Sequence, residues 1–431
     1  MDRVRLPPQS YPSLWCKSDL QLLICTIIFD ILVLMIRRDI EDELLESARK
    51  YPVVTILGPR QAGKTTLARS VFPDRAYYSL EDPDLRIFAE SDPRGFLAGA
   101  GEKGVILDEI QRLPILLSYL QGLVDRDPRR GRFILTGSHQ PSLSASIAQS
   151  LAGRTAVLSL WPLSAHELKR LGPLPAPFQM AIKGFFPALH EKGLDPRRFF
   201  NSYLQTYVER DLRAMVQVRD LSSFQKFLVL VAGRIGNLIN LASLSNDTGV
   251  STTTVKNWLS VLKASYILFE LPPWFENVGK RLVRSSKLYF VDTGLASFLL
   301  GLQTEDQVKR DPLRGSLYEN LVVGEIMKGA INRGRRPDLF FYRDSKGNEV
   351  DLLVREGGRI FPVEIKSSET FTRDFLRGLE HFRALGLPRT ARGMVLYNGE
   401  PEFETEGLRI SNPFSHDRDL WDLVTGSALP S

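Results

Sequence analysis

A chain of 431 residues exceeds what one hydrophobic core holds, so two or three domains are expected. Apolar content of 43% with 25% charged residues excludes a disordered or fibrous chain, and a net charge of +6 is compatible with nucleic acid without requiring it. The only cysteines, Cys16 and Cys25, lie near the start, which excludes a disulfide framework or thiolate metal site in the rest and makes a reducing cytoplasm the expected compartment.

In chain order, residues 1–19 are Pro-rich and irregular, and residues 20–36 form an apolar run broken by Gln21, Thr26 and Asp30. Its length is the lower edge for a bilayer span, and a central Asp costs about 2.5–3.5 kcal/mol there, so a membrane anchor is the least favoured reading. The run also lacks the position and cleavage site of a signal peptide. Residues 1–34 are therefore read as an extension, with Met35 as the expected start and a buried extra helix as the alternative.

From Tyr51 onward strand-like and helix-like segments alternate. Apolar strands are predicted at 52–57, 76–80, 104–107, 133–136 and 156–160, with a helix at 65–72. That order predicts an α/β domain with a parallel sheet covered on both faces. The first strand runs into Gly58-Pro59-Arg60-Gln61-Ala62-Gly63-Lys64-Thr65, followed by Thr66, which satisfies G-x-x-x-x-G-K-[ST] between a strand and a helix. Glycines let backbone N–H groups turn inward onto phosphate, and the helix N-terminus adds its dipole. Lys64 is then expected on the β/γ-phosphates of ATP and the Thr65 hydroxyl on Mg2+.

The run Val105-Ile106-Leu107-Asp108-Glu109 is an apolar strand ending in two acids, placing one acid to hold Mg2+ and the next to polarise attacking water. The strand 133–136 carries hydroxyls at its tip, so Thr136 or Ser138 is expected to sense the γ-phosphate, with strand-end turn chemistry as the equal alternative. Arg154 precedes the last strand and is a candidate arginine finger, in cis or across a homo-oligomer interface. The Pro-rich stretch 172–177 marks a boundary.

Beyond it the chain reads as helical at 199–216 and 224–235. Residues 241–258 then read as a short helix, a turn at Gly249, and a second helix capped by Ser251. Val255, Trp258, Leu259 and Leu262 recur at helical spacing and face a core, which leaves Thr252, Thr253, Lys256 and Asn257 for a DNA groove. Strands at 267–271 and 287–291, joined by a basic segment at 280–284, suggest a winged variant, whose other use is as a packing module.

Near the C-terminus, strands 349–354 and 360–366 flank Gly357-Gly358. With those glycines at the centre of the turn, Asp351 faces Glu364 and Glu349 faces Lys366. Val350, Leu352, Val354, Phe361, Val363 and Ile365 form the apolar face. Opposed carboxylates repel at a Cβ separation of about 4.5–5.5 Å, a repulsion that a divalent metal relieves.

Several of these runs together resemble a family of prokaryotic AAA-type ATPases that carry a C-terminal domain of unknown function similar to PD-(D/E)XK nucleases. The matching runs begin with Arg38-Asp39-Ile40, the phosphate loop, Leu107-Asp108-Glu109-Ile110-Gln111, Leu135-Thr136-Gly137-Ser138 and Leu151-Ala152-Gly153-Arg154. They continue with Tyr207-Val208-Glu209-Arg210-Asp211, the run from Lys287 to Leu295, and Gly347-Asn348-Glu349-Val350-Asp351. The resemblance implies an ATPase coupled to a DNA-related module. It also implies a metal set of Asp351, Glu364 and Glu319, the last on a helix at 317–328 with Glu325 as the weaker substitute, and Lys366 steering water or stabilising phosphorane charge.

The expected organisation is an extension at 1–34, an AAA-type ATPase domain at 35–172, a helical and winged-helix region at 173–300, and an α+β restriction-nuclease-like domain at 301–431. The expected ligands are ATP, Mg2+ and DNA. The alternative is a nucleotide-gated adaptor whose last domain binds DNA or a partner without cutting it.

Overall fold

The computed structural model describes residues 36–99, 101–138, 141–208, 221–274 and 285–426. The expected extension at 1–34, both cysteines, Met35, the motif residues 209–211 and the basic stretch 280–284 lie outside the described residues.

Five short apolar strands make the first sheet: β1 Val53–Gly58, β2 Ala76–Ser79, β3 Val105–Asp108, β4 Phe133–Ser138 and β5 Thr155–Ser159. All pair in parallel in the order β2-β3-β4-β1-β5. β1, β3 and β4 are buried along their whole length, as strands covered on both faces must be. One apolar layer packs Leu57, Leu107 and Leu135 against Leu116, Leu117 and Leu120 of the helix Leu116–Arg126. The other packs Val54, Ile56 and Ile134 against Leu44 of Glu41–Lys50 and Leu67 of Lys64–Val71.

The middle of the chain is helical, as its composition predicts. Helix Leu241–Thr248 ends at Gly249, whose φ of 77° is the left-handed cap that glycine adopts without strain. Ser251 then accepts the Thr254 N–H at 3.1 Å and starts Thr252–Ala264. Val255, Trp258, Leu259 and Leu262 are buried, and Thr252, Thr253, Lys256 and Asn257 are exposed. β6 (Leu268–Leu271) and β7 (Lys287–Phe290) pair antiparallel behind this unit.

A second sheet of six strands has the order β12-β13-β11-β10-β9-β8. Its strands are β8 Leu339–Arg343, β9 Glu349–Glu356, β10 Arg359–Lys366, β11 Met394–Tyr397, β12 Phe403–Thr405 and β13 Leu408–Ser411. Both turn glycines, Gly357 and Gly358, have positive φ (57° and 75°), the signature of a two-residue primed turn. Ladder pairs run from Arg359 opposite Glu356 to Val363 opposite Leu352, the register read from the sequence.

The expected division of that hairpin into one dry and one charged face needs correction. Helix Arg314–Asn332 covers one side, and Arg377–Ala384 covers the other with Leu379 and Phe382 against Leu353 and Ile360. Val350 belongs to this second layer and not to the layer of Leu352, Val354, Phe361, Val363 and Ile365. Glu349, Asp351, Glu364 and Lys366 lie at the end of the hairpin away from the turn.

A single apolar cluster runs from Trp161 through Phe227, Trp258, Tyr289 and Tyr318 to Val424, so the boundary expected near residue 300 falls inside continuous packing. Among the described residues no helix is long and apolar enough to cross a membrane.

Helix Arg314–Asn332 also reaches the segment that leaves the first sheet. Lys328 donates to the Leu163 carbonyl at 2.8 Å and to Glu325 at 2.6 Å, and Glu325 accepts the Ala165 N–H at 2.7 Å. Both charges are buried, at 2% and 5% exposure, so each depends on the other for compensation. Lys328→Met alone is expected to cost about 3–5 kcal/mol of unfolding free energy, because it leaves Glu325 buried without its cation. Glu325→Leu with Lys328→Met should recover much of that loss in denaturant titrations; equal loss in both would contradict the pairing.

Candidate functional site

The carboxyl ends of β1, β3 and β4 converge at the edge where parallel α/β sheets bind ligands. The loop leaving β1 holds Gln61 and Gly63 at φ of 61° and 90°, which turns successive N–H groups to one side. No side chain caps the helix Lys64–Val71, so its first turn presents free donors to an anion. Gly58 has no alternative, because a Cβ there would lie 2.0 Å from the Leu160 carbonyl oxygen.

Lys64 is buried inside the loop, and its ammonium donates to the carbonyls of Gly58 at 3.1 Å and Pro59 at 2.7 Å. Burial pulls its pKa down to about 8, against the pull of Glu109 and Asp108 and with the push of Arg60. Ala62 is buried and Thr66 exposed on the outer side of the first helical turn.

Asp108 is fixed by three hydroxyls. Thr65 donates to Oδ1 at 2.9 Å, Thr136 donates to the same oxygen, and Tyr77 donates to Oδ2 at 2.8 Å. These groups suit a Mg2+ ion: an anchored carboxylate and the loop hydroxyl touch each other at the loop mouth, while the Lys64 ammonium is held on the loop carbonyls. Tyr77 escaped sequence reading because a tyrosine in a half-buried strand carries no motif.

Glu109 has φ 57°, unusual for a non-glycine and costing about 1–2 kcal/mol. That conformation swings the side chain from the strand direction toward Lys64 and Arg60, whose charges act on it. Burial raises its pKa above the ordinary carboxylate range, and Gln111 donates to Oε2. Ser138 stands beside Gly58 at the tip of β4 with a buried hydroxyl that has no partner among the described residues, whereas Thr136 is committed to Asp108.

Arg154 is not brought to this site. β5 runs parallel to β1 with Thr155 opposite Val53, so Arg154 lies at the amino edge, roughly 20 Å of strand from the loop. Its guanidinium is paired with Asp125 at 2.6 and 2.9 Å. This corrects the expected finger in cis: a residue preceding a parallel strand sits at the edge opposite the phosphate loop.

Arg38 does the positioning that no motif assigned. Its guanidinium donates to the Ala62 carbonyl at 2.9 Å, the Trp161 carbonyl at 2.7 Å and Glu167 Oε1 at 3.0 Å. Glu167 also accepts the Asp39 N–H at 2.7 Å and the Ser164 N–H at 2.8 Å. A charged pair directly ahead of a helix was the available signal.

The second cluster lies between the helix Arg314–Asn332 and the hairpin. Glu319, Asp351 and Glu364 do approach one another, but as partners of lysines. Lys366 contacts Glu364 Oε1 at 2.5 Å and Asp351 Oδ2 at 3.5 Å. Lys287, at the start of β7, contacts Glu319 at 2.9 Å, Glu349 at 2.6 Å and Asp351 at 4.0 Å. Tyr289 donates to Glu319 at 2.5 Å. Burial, reinforced by Asp351, pushes Glu364 up to about 8, against the pull of Lys366. Among the described residues no group of three or more His, Cys, Asp or Glu side chains is arranged to hold a metal ion. The expected metal set is corrected accordingly: in this conformation the carboxylate oxygens are turned onto ammonium groups. Glu325 lies elsewhere, with Lys328.

Comparison with known proteins agrees with the first site and is silent on the second. An AAA domain family matches residues 50–169, a domain of unknown function (DUF8612) matches 176–306, and another (DUF4143) matches 314–414. The Walker-type ATPase PABY2304 of Pyrococcus abyssi has 16% identity and a TM-score of 0.39, covering 62% of this chain and 99% of that one. An uncharacterised Haemophilus influenzae protein is 23% identical over 248 residues, 54% of this chain and 58% of its own. The uncharacterised protein Rv2008c of Mycobacterium tuberculosis is 32% identical over 387 residues, covering 88% of this chain and 84% of that one. With that identity across most of both chains, the protein belongs to the family of this mycobacterial protein, and its residues 50–169 form an AAA-type P-loop ATPase domain.

Proposed function

We propose that the protein hydrolyses Mg2+-ATP and uses the nucleotide state to set its C-terminal part as a switch or adaptor on DNA. The observation that carries the ATPase reading is Asp108 held by Thr65, Thr136 and Tyr77 beside the out-turned Glu109. Thr65 and Asp108 would hold Mg2+, which supplies countercharge to the β- and γ-phosphates. Lys64 exchanges its loop carbonyls for phosphate oxygens. Glu109, made more basic by burial, accepts the proton of the attacking water. Thr136 and Tyr77 keep the Asp108 carboxylate aimed at the loop mouth.

Output follows the hydrogen bonds. Arg38 joins the loop carbonyl of Ala62 to Glu167, and the segment 163–165 beside it is held by Glu325 and Lys328 of the helix that carries Glu319. The exposed Thr252, Thr253, Lys256 and Asn257, after a Gly249 turn and beside a two-stranded β6–β7 pair, support DNA contact by this unit. The lysine-filled carboxylates at the C-terminal hairpin favour the adaptor over the nuclease.

Lys64→Ala should lose ATP binding, whereas Glu109→Gln should bind ATP and lose turnover by roughly 10^2–10^4-fold. Equal hydrolysis by wild type and Glu109→Gln would end the base assignment. The pH behaviour of Lys64 has a defined sign. Its pKa is depressed to about 8 without nucleotide, and phosphate raises it, so ATP binding takes up protons near pH 8 and takes up almost none below pH 7. Calorimetry in buffers of different ionisation enthalpy should read about half a proton at pH 8; none in wild type would contradict the buried ammonium. Lys256→Ala should weaken DNA binding uniformly across sequences and lower the salt slope by about 1 in fluorescence anisotropy.

A further inference from the structure

β7 opens with a lysine inside the packed interior. Lys287 is 4% exposed, and an ammonium so placed loses its charge unless anions surround it. Here Glu319, Asp351 and Glu349 outweigh the burial and drive its pKa strongly upward. The three acids come from two separate elements, the helix Arg314–Asn332 and β9, and the lysine comes from a third.

It gathers carboxylate oxygens from both the helix and the hairpin, arranged around an ammonium and, as they stand, not around a metal ion. Glu319 Oε1 lies 2.9 Å from Nζ and Glu349 Oε1 2.6 Å, with Asp351 Oδ1 at 4.0 Å. The remaining oxygens are largely spent. Asp351 Oδ2 accepts the Ile365 N–H at 2.8 Å, and Glu349 Oε2 faces Arg343 at 3.6 Å. Glu364 Oε2 is buried and has no hydrogen-bond partner among the described residues, which leaves one acceptor oxygen of the cluster unused. Lys366 stands between Asp351 and Glu364 as a second ammonium.

We propose that Lys287 is the resident cation of this carboxylate cluster: its ammonium stands where a divalent metal ion would stand, ties β7 to β9 and to the helix Arg314–Asn332, and keeps the cluster metal-free. Removing that ammonium converts the cluster into a divalent-cation site formed by Glu319, Glu349 and Asp351, with Glu364 alongside. A hard divalent ion suits it, because the ligands are all carboxylate oxygens carried on a helix and a strand. The inference does not depend on ATP hydrolysis, and an ATPase assay on the same samples separates a failure of that reading from a failure of this one.

The test is Mn2+ binding by the full chain without nucleotide, read from the loss of the free-ion electron paramagnetic resonance signal. Lys287→Met should bind Mn2+ at least about tenfold more tightly than wild type or Lys287→Arg. The gain should vanish in Lys287→Met combined with Asp351→Asn. Wild type binding Mn2+ through Asp351 as tightly as Lys287→Met would overturn the proposal, and so would a folded Lys287→Met that binds none. If Lys287→Met is unfolded alone, Lys287→Gln replaces it, and thermal melts are added for both. Stabilisation of either variant by Mn2+, absent in wild type, supports the inference, and its absence in both overturns it.

Discussion

The guanidinium of Arg38 is the interaction on which the rest of this protein depends. It is buried, and its donors satisfy a phosphate-loop carbonyl, a carbonyl just past β5, and the Glu167 carboxylate. Hydrogen bonds to charged groups are worth about 1.5–3 kcal/mol each, and a buried guanidinium left short of acceptors would cost more than they return. Glu167 repeats the arrangement from the other side, since the Asp39 and Ser164 backbone N–H groups complete its oxygens. The loop that must wrap phosphate is thereby held by groups outside the loop itself, in addition to the close approach and left-handed backbone that Gly58 and Gly63 allow.

The same short segment, residues 163–165, is gripped from below by Glu325 and Lys328. ATP site and C-terminal helix thus share one piece of backbone. Ala62 is connected through Arg38, Glu167 and the segment 163–165 to the helix that carries Glu319, the route the proposed nucleotide switch would use. A packed interior with fixed polar partners transmits such displacement because it deforms little.

The two acidic sites solve one electrostatic problem in opposite ways. Asp108 is surrounded by hydroxyls, which orient a carboxylate without neutralising it, and its negative charge stays available to a cation arriving with the nucleotide. Glu319, Glu349 and Asp351 are surrounded by ammonium groups, which cancel the charge inside the fold. Hydroxyls preserve a binding site, whereas lysines turn acids into a clamp between elements.

What the sequence by itself determined was everything whose geometry is local. The phosphate loop follows from glycine spacing between a strand and a helix, and Asp108-Glu109 from its position at a strand end. The hairpin register follows from two glycines in a turn that demands positive φ, and the turn before Thr252–Ala264 from Gly249 and Ser251. The role expected of Arg154 in cis did not hold, because parallel pairing puts the residue before β5 at the edge away from the loop. Only the tertiary structure decided which cations meet which acids. Lys287 reaches Glu349 and Asp351 because β7 is laid beside the second sheet, and Arg38 reaches Ala62 because the chain folds back beneath its own loop. Hydrophobic periodicity sets faces and registers, but it leaves no trace of which distant charge will be buried beside another, since that pairing is fixed by packing between elements rather than within them.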